Sequence, residues 1–237
     1  MYIRYLYEPH LYHDGSSGSS SISSKHDYAS IYFDRYLMKD RIHRSDVCAV
    51  GIEVDDRLRS RHELLQQYYD KLQLRVYFIY AGVSYTDSMK RYYRHQDSSS
   101  GSSSTGGRSS SSSGSEDAKI SVMKIRDNDV SVQLPVINLL NFIRYNISSR
   151  IIPDKIYDND PPPTVIMKMD IEGEEMDIIP SLIDSGVLCD INVFTVEWHN
   201  HVDVKDEVVA IMKDQLRAYK KTCERFRYYT LHNNDNK

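Results

Sequence analysis

The sequence predicts an α/β domain with a mostly parallel sheet and helices on both faces. Three observations carry that expectation. Short, almost uninterrupted apolar runs alternate with amphipathic segments of helical period, the pattern of strands buried on both sides by their own crossover helices. A chain of 237 residues, 40% of them apolar, suits one domain with a sizeable core. Finally, the stretch Val165 to Glu175 reads as a strand that runs into a carboxylate-rich turn with a glycine and then a helix. In open α/β sheets, chemistry gathers just beyond the carboxyl ends of the strands.

The elements follow in order. Tyr2 to Tyr7, a strand if the segment after it is a cofactor loop rather than linker, precedes the first of two serine-rich tracts, at about residues 15–24 and 98–116. Neither tract can bury enough apolar surface to offset chain entropy, so both are expected to be loops within a single domain, 1–237. Tyr28 to Lys39 has a helical face of Ile31, Tyr32, Tyr36 and Leu37. Val47 to Val54 reads as a strand. Arg57 to Leu72 reads as a helix with Leu58, Leu65, Tyr68, Tyr69 and Leu72 inward. Arg75 to Val83 is the next strand, and Ile120 to Ile125 another. Val136 to Ile147 is expected to be helical, with Leu139, Leu140 and Ile143 inward. Pro161 to Pro163 form a stiff lead-in to the strand Val165 to Ile171. A helix over 174–185 contains Pro180, and Gly186 suits its stop. Ile191 to His199 is a strand, Glu207 to Cys223 a helix, and Phe226 to Leu231 a last strand.

Composition excludes several classes. A net charge of -4 argues against a dedicated nucleic-acid binder, which needs clustered Lys and Arg. No apolar run reaches the roughly 20 residues of a membrane span. Arg4 and Glu8 interrupt any signal-peptide core at the N-terminus, so the expectation is a soluble chain, cytoplasmic by default, or one whose targeting segment is absent from this sequence. Cys48, Cys189 and Cys223 are odd in number and far apart, which suggests small buried hydrophobes rather than a disulfide framework. The triplet Asn146-Ile-Ser148 has the form of a glycosylation acceptor, a form that also arises by chance.

Candidate chemistry lies at three strand ends. Glu53 closes the run Ala49-Val-Gly-Ile-Glu53; one carboxylate can accept from both vicinal hydroxyls of a ribose, although a strand-end acid is commonly just a solvated charge. Alternation places Lys168 and Asp170 on one face, with Met167, Met169 and Ile171 on the other. Glu172, Glu174 and Glu175 suit a helix start. Asp170 does not belong to that group, because a carboxylate on a central strand is costly unless paired or used. Gly173 permits an unusual backbone angle. Thr195, Glu197 and His199 share a face, and this strand should neighbour that of Asp170. A His beside two acids is a general base, a metal ligand or a hydrogen-bonded core residue.

Met-Lys-Met-Asp-Ile-Glu-Gly-x-Glu over 167–175, followed by Val196-Glu-Trp-His199, resembles the FkbM-type family of S-adenosylmethionine-dependent methyltransferases. Gly51-Ile-Glu53-Val and Val76 to Ser84 are similar to that family's preceding strands, and the resemblance covers about Asp46 to His199. It implies a Rossmann-like class I methyltransferase fold with S-adenosylmethionine as cofactor. It also implies O-methylation of a hydroxyl on a small molecule or glycan. Glu53 would hold the cofactor ribose, and Ala81 and Gly82 would lie near the adenine. Asp170 would sit near the methyl group with Lys168 beside it, Glu172, Gly173 and Glu175 would shape the turn, and His199 would close the rear of the site.

The family's glycine-rich loop would fall at Tyr12 to Gly18. Asp14, Gly15 and Gly18 are then cofactor contacts, or that segment is linker. Glu174 stands where the family usually has a small residue. The alternative function is a catalytically inactive methyltransferase-fold binding protein with a degraded cofactor loop. A metal-dependent hydrolase using Asp170, Glu172 and His199 is a third reading, and no metal is assigned. Tyr85, Tyr92 and Tyr93 are possible acceptor-stacking residues.

Overall fold

The computed structural model describes residues 47–94, 120–121, 129–150, 163–171, 173–199 and 206–231. The predicted strand at Tyr2 to Tyr7, the helix at Tyr28 to Lys39 and both serine tracts lie outside them. The described residues form a mixed α/β arrangement of three small sheets with helices, and none of the sheets closes into a barrel.

Strand β1, Cys48–Glu53, pairs in parallel with β2, Arg75–Tyr80, in register from Cys48↔Arg75 to Glu53↔Tyr80. The crossover is a 3-10 turn, Asp56–Leu58, and helix α1, Arg59–Lys71. Asp55 caps the turn by accepting from the Arg57 N–H. Tyr69 is fully buried, with Leu65 packed alongside, whereas Tyr68 and Leu72 are 48% and 51% exposed. The predicted inward face is therefore narrower than expected: consecutive helical residues point about 100° apart, and here Tyr69 takes the buried side while Tyr68 is turned outward. The helix ends by a Schellman closure, Leu74 N–H to the Tyr69 carbonyl at 3.0 Å, with Gln73 at φ 57°.

The predicted strand Arg75 to Val83 breaks at Ala81. Gly82–Ser84 is β3, in a four-stranded sheet of order β3-β6-β4-β5. Here β4 is Ser88–Arg94, β5 is Ile120–Ser121 and β6 is Val130–Asn138. The β3–β6 pair is parallel, but β4 runs antiparallel to both β5 and β6. Val136 to Asn138 are thus strand, not the start of a helix. Asn138 marks the boundary: its N–H donates to Asp87 Oδ1 at 2.8 Å, and its side-chain oxygen caps α2, Leu139–Phe142, through the Asn141 N–H at 3.0 Å. A π-helical segment, Ile143–Ser148, continues α2.

The third sheet is all parallel, in the order β7, Ile166–Met169; β8, Val193–Glu197; β9, Arg227–Leu231. Helix α3, Glu175–Asp184, crosses from β7 to β8 and runs through Pro180; α4, Asp206–Tyr219, lies between β8 and β9 in the chain. Gly186, at φ 77°, ends α3 as expected and opens a 3-10 turn, Val187–Asp190. Val193 to Val196 are buried on both sides of the central strand. Phe194 and Val196 join Ile178, Ile179, Leu182 and Leu216 in the main core. In α4 the buried positions are Val209, Met212 and Leu216, while the predicted Val208 is exposed.

The cysteines depart from expectation. Cys189 and Cys223 form a disulfide with Cα atoms 5.1 Å apart, within the range that the bond requires. Only Cys48 is free. Among the described residues, no helix is long and apolar enough to cross a membrane.

A Cβ added to Gly82 would lie 1.9 Å from Tyr92 Oη and 2.6 Å from its Cζ. Gly82→Ala should therefore lower stability by about 1–3 kcal/mol through overpacking. Urea unfolding checks this, and combining it with Tyr92→Leu should cost less than the sum of the two single changes.

Candidate functional site

Parallel pairing of β7 and β8, with Lys168 opposite Thr195 and Met169 opposite Val196, brings their carboxyl ends side by side. Lys168 and Asp170 share a face, as alternation requires. Lys168 Nζ lies 2.5 Å from Asp170 Oδ2 and 3.4 Å from Glu197 Oε2. His199 Nε2 is 3.5 Å from Asp170 Oδ1. Three predicted catalytic residues, Lys168, Asp170 and His199, thus converge, together with Glu197.

Behind them stands Glu175, the first residue of α3 and fully buried. Its carboxylate accepts from the N–H groups of Ile171 at 3.2 Å and Gly173 at 2.9 Å, and lies 2.8 Å from His199 Nδ1. An Nδ1–H directed at this carboxylate leaves Nε2 at the open end of the sheet, 3.5 Å from Asp170 Oδ1. Gly173 sits at φ 112°, a conformation that side chains rarely adopt, which explains the glycine in the turn. Glu172 lies outside the described residues.

Burial pushes the Asp170 carboxyl upward, but the charge and hydrogen bond of Lys168 outweigh it, with help from His199 and Glu197. The net position is below the usual carboxylate range. Asp170 is therefore an anion under neutral conditions, and Lys168 is its counterion.

Glu53 and Ala81 form a second group, at the ends of β1 and β2. Glu53 Oε1 accepts from the Asp55 N–H at 2.8 Å, and the Glu53 carbonyl accepts from the Ala81 N–H at 3.1 Å. Burial raises the Glu53 carboxyl above its ordinary value, and the nearby Asp55 charge adds to the rise. Gly82 is covered by Tyr92, as described above. Tyr92 itself is buried, so it is not a surface on which an acceptor could stack; Tyr85 is exposed and Tyr93 half-buried. Asp14, Gly15 and Gly18 lie outside the described residues.

Glu174 is not the solvated helix-start acid that its position suggests. It is 1% exposed and forms an ion pair with Lys90 of β4. Burial raises its carboxyl against the opposing effect of Lys90. The Tyr92 phenol is likewise pushed up by burial and by the Glu174 charge. Lys90, Tyr92 and Glu174 thus join the four-stranded sheet to the turn that holds His199. Sequence reasoning missed Lys90 because β4 carries no local strand signal.

Asp170, Glu197 and His199 offer ligand atoms within 4.8 Å of one another, the oxygen and nitrogen types that divalent cations take. This set substitutes Glu197 for the Glu172 of the sequence reading. Lys168 already brings a positive charge to two of the three members. Comparison with protein-family models, curated proteins and solved structures finds no match.

Lys90→Met would leave Glu174 buried without its cation. The expected loss at neutral pH is roughly 2–4 kcal/mol, somewhat under that of a fully buried pair because Lys90 is partly exposed. The folded-state pKa of Glu174 is raised, so the stability linked to its protonation is present in acid and lost as pH rises through that value. The Lys90→Met deficit should accordingly shrink on acidification, and Glu174→Gln should offset it, as thermal melts across pH would show.

Proposed function

We propose that the chain is an S-adenosylmethionine-dependent methyltransferase of Rossmann-like class I fold, acting on a hydroxyl of a small molecule or glycan. The observation that carries the reading is the convergence of Lys168, Asp170, Glu197 and His199 at the carboxyl ends of adjacent parallel strands, with His199 held by Glu175. That is where an open α/β sheet presents its ligands. The resemblance of residues 167–175 and 196–199 to the FkbM-type family supplies the reaction class.

The residues fit the cofactor in two respects. Glu53 keeps lone pairs beyond the one engaged by Asp55, as a ribose-binding carboxylate must. Ala81, small and buried, adjoins it through the Glu53 carbonyl. When bound, the cofactor supplies a methyl group on a positively charged sulfur. The chain's own part is alignment and proton removal. Glu175 orients the His199 ring, so that Nε2 can accept the proton of an acceptor hydroxyl. Asp170 then stabilises the imidazolium across 3.5 Å. Lys168 keeps Asp170 ionised and turned toward the site.

A catalytically inactive binding protein is the second reading. One observation favours it: Glu174, which stands where the family usually has a small residue after its Glu-Gly pair, is buried and paired with Lys90.

Calorimetric titration of S-adenosylmethionine and its demethylated product distinguishes the possibilities. Micromolar binding should weaken about 10- to 100-fold in Glu53→Ala, the cost of one or two hydrogen bonds to a charged group. It should also weaken as pH falls through the raised pKa of Glu53, since the protonated acid loses its charge and gives up an acceptor site to its own proton. Asp170→Ala and His199→Ala should keep cofactor affinity while lowering methyl transfer by roughly 10²–10⁴-fold. Binding without turnover over a broad acceptor set would favour the second reading, and no binding to the folded wild type would overturn the enzyme reading and leave the second.

A further inference from the structure

We propose that Asn146 is an N-glycosylation site, on a chain that matures in an oxidising, secretory-type compartment. Two independent observations lead there. The first is the acceptor itself. Asn146-Ile147-Ser148 is the single Asn-x-Ser/Thr triplet in the 237 residues, and neither its middle position nor the one after it is proline. The Asn146 side chain is exposed and makes no hydrogen bond among the described residues. Its neighbour Tyr145 is 65% exposed, an aromatic surface with an apolar face and a polar tip on which a first sugar can pack.

The second observation is the Cys189–Cys223 disulfide. Cys189 is exposed, so the bond is within reach of any reductant in solution. Disulfides of this kind persist in oxidising compartments and are rare in the reducing cytosol. The secretory lumen that keeps such a bond also holds the machinery of Asn-linked glycan transfer. The cysteine pair thus gives the Asn146 triplet a compartment in which it would be used.

The two features are neighbours. Ser148 Oγ donates to Asp190 Oδ2 at 2.7 Å, and Asp190 follows Cys189 directly. Asp190 precedes β8 and Cys223 precedes β9, so both lie at the amino ends of the parallel strands. The Lys168–Asp170–His199 cluster lies at the opposite, carboxyl ends. An oligosaccharide on Asn146 would therefore leave that cluster open.

The chemistry balances with a lipid-linked oligosaccharyl pyrophosphate as donor. A bond forms from Asn146 Nδ2 to the sugar's anomeric carbon as that carbon's bond to the pyrophosphate oxygen breaks. The pyrophosphate departs on its lipid, and the amide gives one proton to a base of the transferase. The disulfide forms by exchange with a donor disulfide, which is reduced to a dithiol. Nothing in this depends on methyl transfer.

The test is peptide mapping of the protein isolated from the cells that make it, with and without an amidase that releases Asn-linked glycans. Thiols are alkylated under denaturing, non-reducing conditions. The expected result is an oligosaccharide mass on the Asn146 peptide that the amidase removes, with Cys48 alone alkylated. Asn146→Gln and Ser148→Ala should each abolish the mass. Ser148→Thr, which preserves the acceptor triplet, should retain it and guards against a folding defect in Ser148→Ala. A bare Asn146 in the isolated wild type would overturn the proposal, as would a mass that survives Asn146→Gln or three alkylated cysteines.

Discussion

The arrangement depends on one buried carboxylate. Glu175 begins α3, has no contact with water and accepts from two backbone N–H groups of the turn before it while facing a ring nitrogen of His199. Removing a carboxylate from water costs several kcal/mol. Here the cost is offset by those hydrogen bonds and by the partial positive charge at the helix N-terminus. The turn cannot take another path without orphaning Glu175, and Gly173 is what permits the path. By this one contact the end of β7, the start of α3 and the end of β8 become a single unit.

Charge follows from that geometry. With Glu175 and Asp170 on either side of His199 and Glu197 nearby, the sheet end would be strongly acidic. Lys168 and Lys90 moderate it from two directions: one on the strand beneath, the other on the antiparallel β4. The four-stranded sheet is thus more than an appendage. Through Lys90 and Glu174 it bears on the residue beside Glu175, so displacement of β4 would be felt at His199 without any contact to it.

How much of this was legible depends on whether the cause is local. β7, α3 and β8 could be read because apolar runs, an acid-rich helix start and the glycines at 173 and 186 are local signals, and strand alternation then placed Lys168, Asp170, Glu197 and His199 on compatible faces. Val136 to Asn138 resist such reading. The apolar side chains of Val136 and Ile137 continue into Leu139, Leu140 and Ile143, and only the capping by Asn138 separates strand from helix. β4, Ser-Met-Lys-Arg-Tyr-Tyr-Arg, is too polar to declare itself; its partner β6 imposes the strand. Cys189 and Cys223 stand 34 positions apart, and their meeting depends on the packing around β8 and β9. Likewise, the burial of Glu174 depends on where β4 lies, which its own neighbours in sequence do not specify.

Trp198 carries a practical consequence. It is the one tryptophan of the chain, immediately before His199. Its indole N–H donates to Tyr228 Oη at 2.8 Å, and Lys213 Nζ lies 5.6 Å from its ring centroid. All the indole emission of the molecule therefore originates beside the candidate site, between a phenol and an ammonium that both perturb an excited ring. The protein has its own optical gauge, and any small molecule that settles near His199 would be read by it without a label.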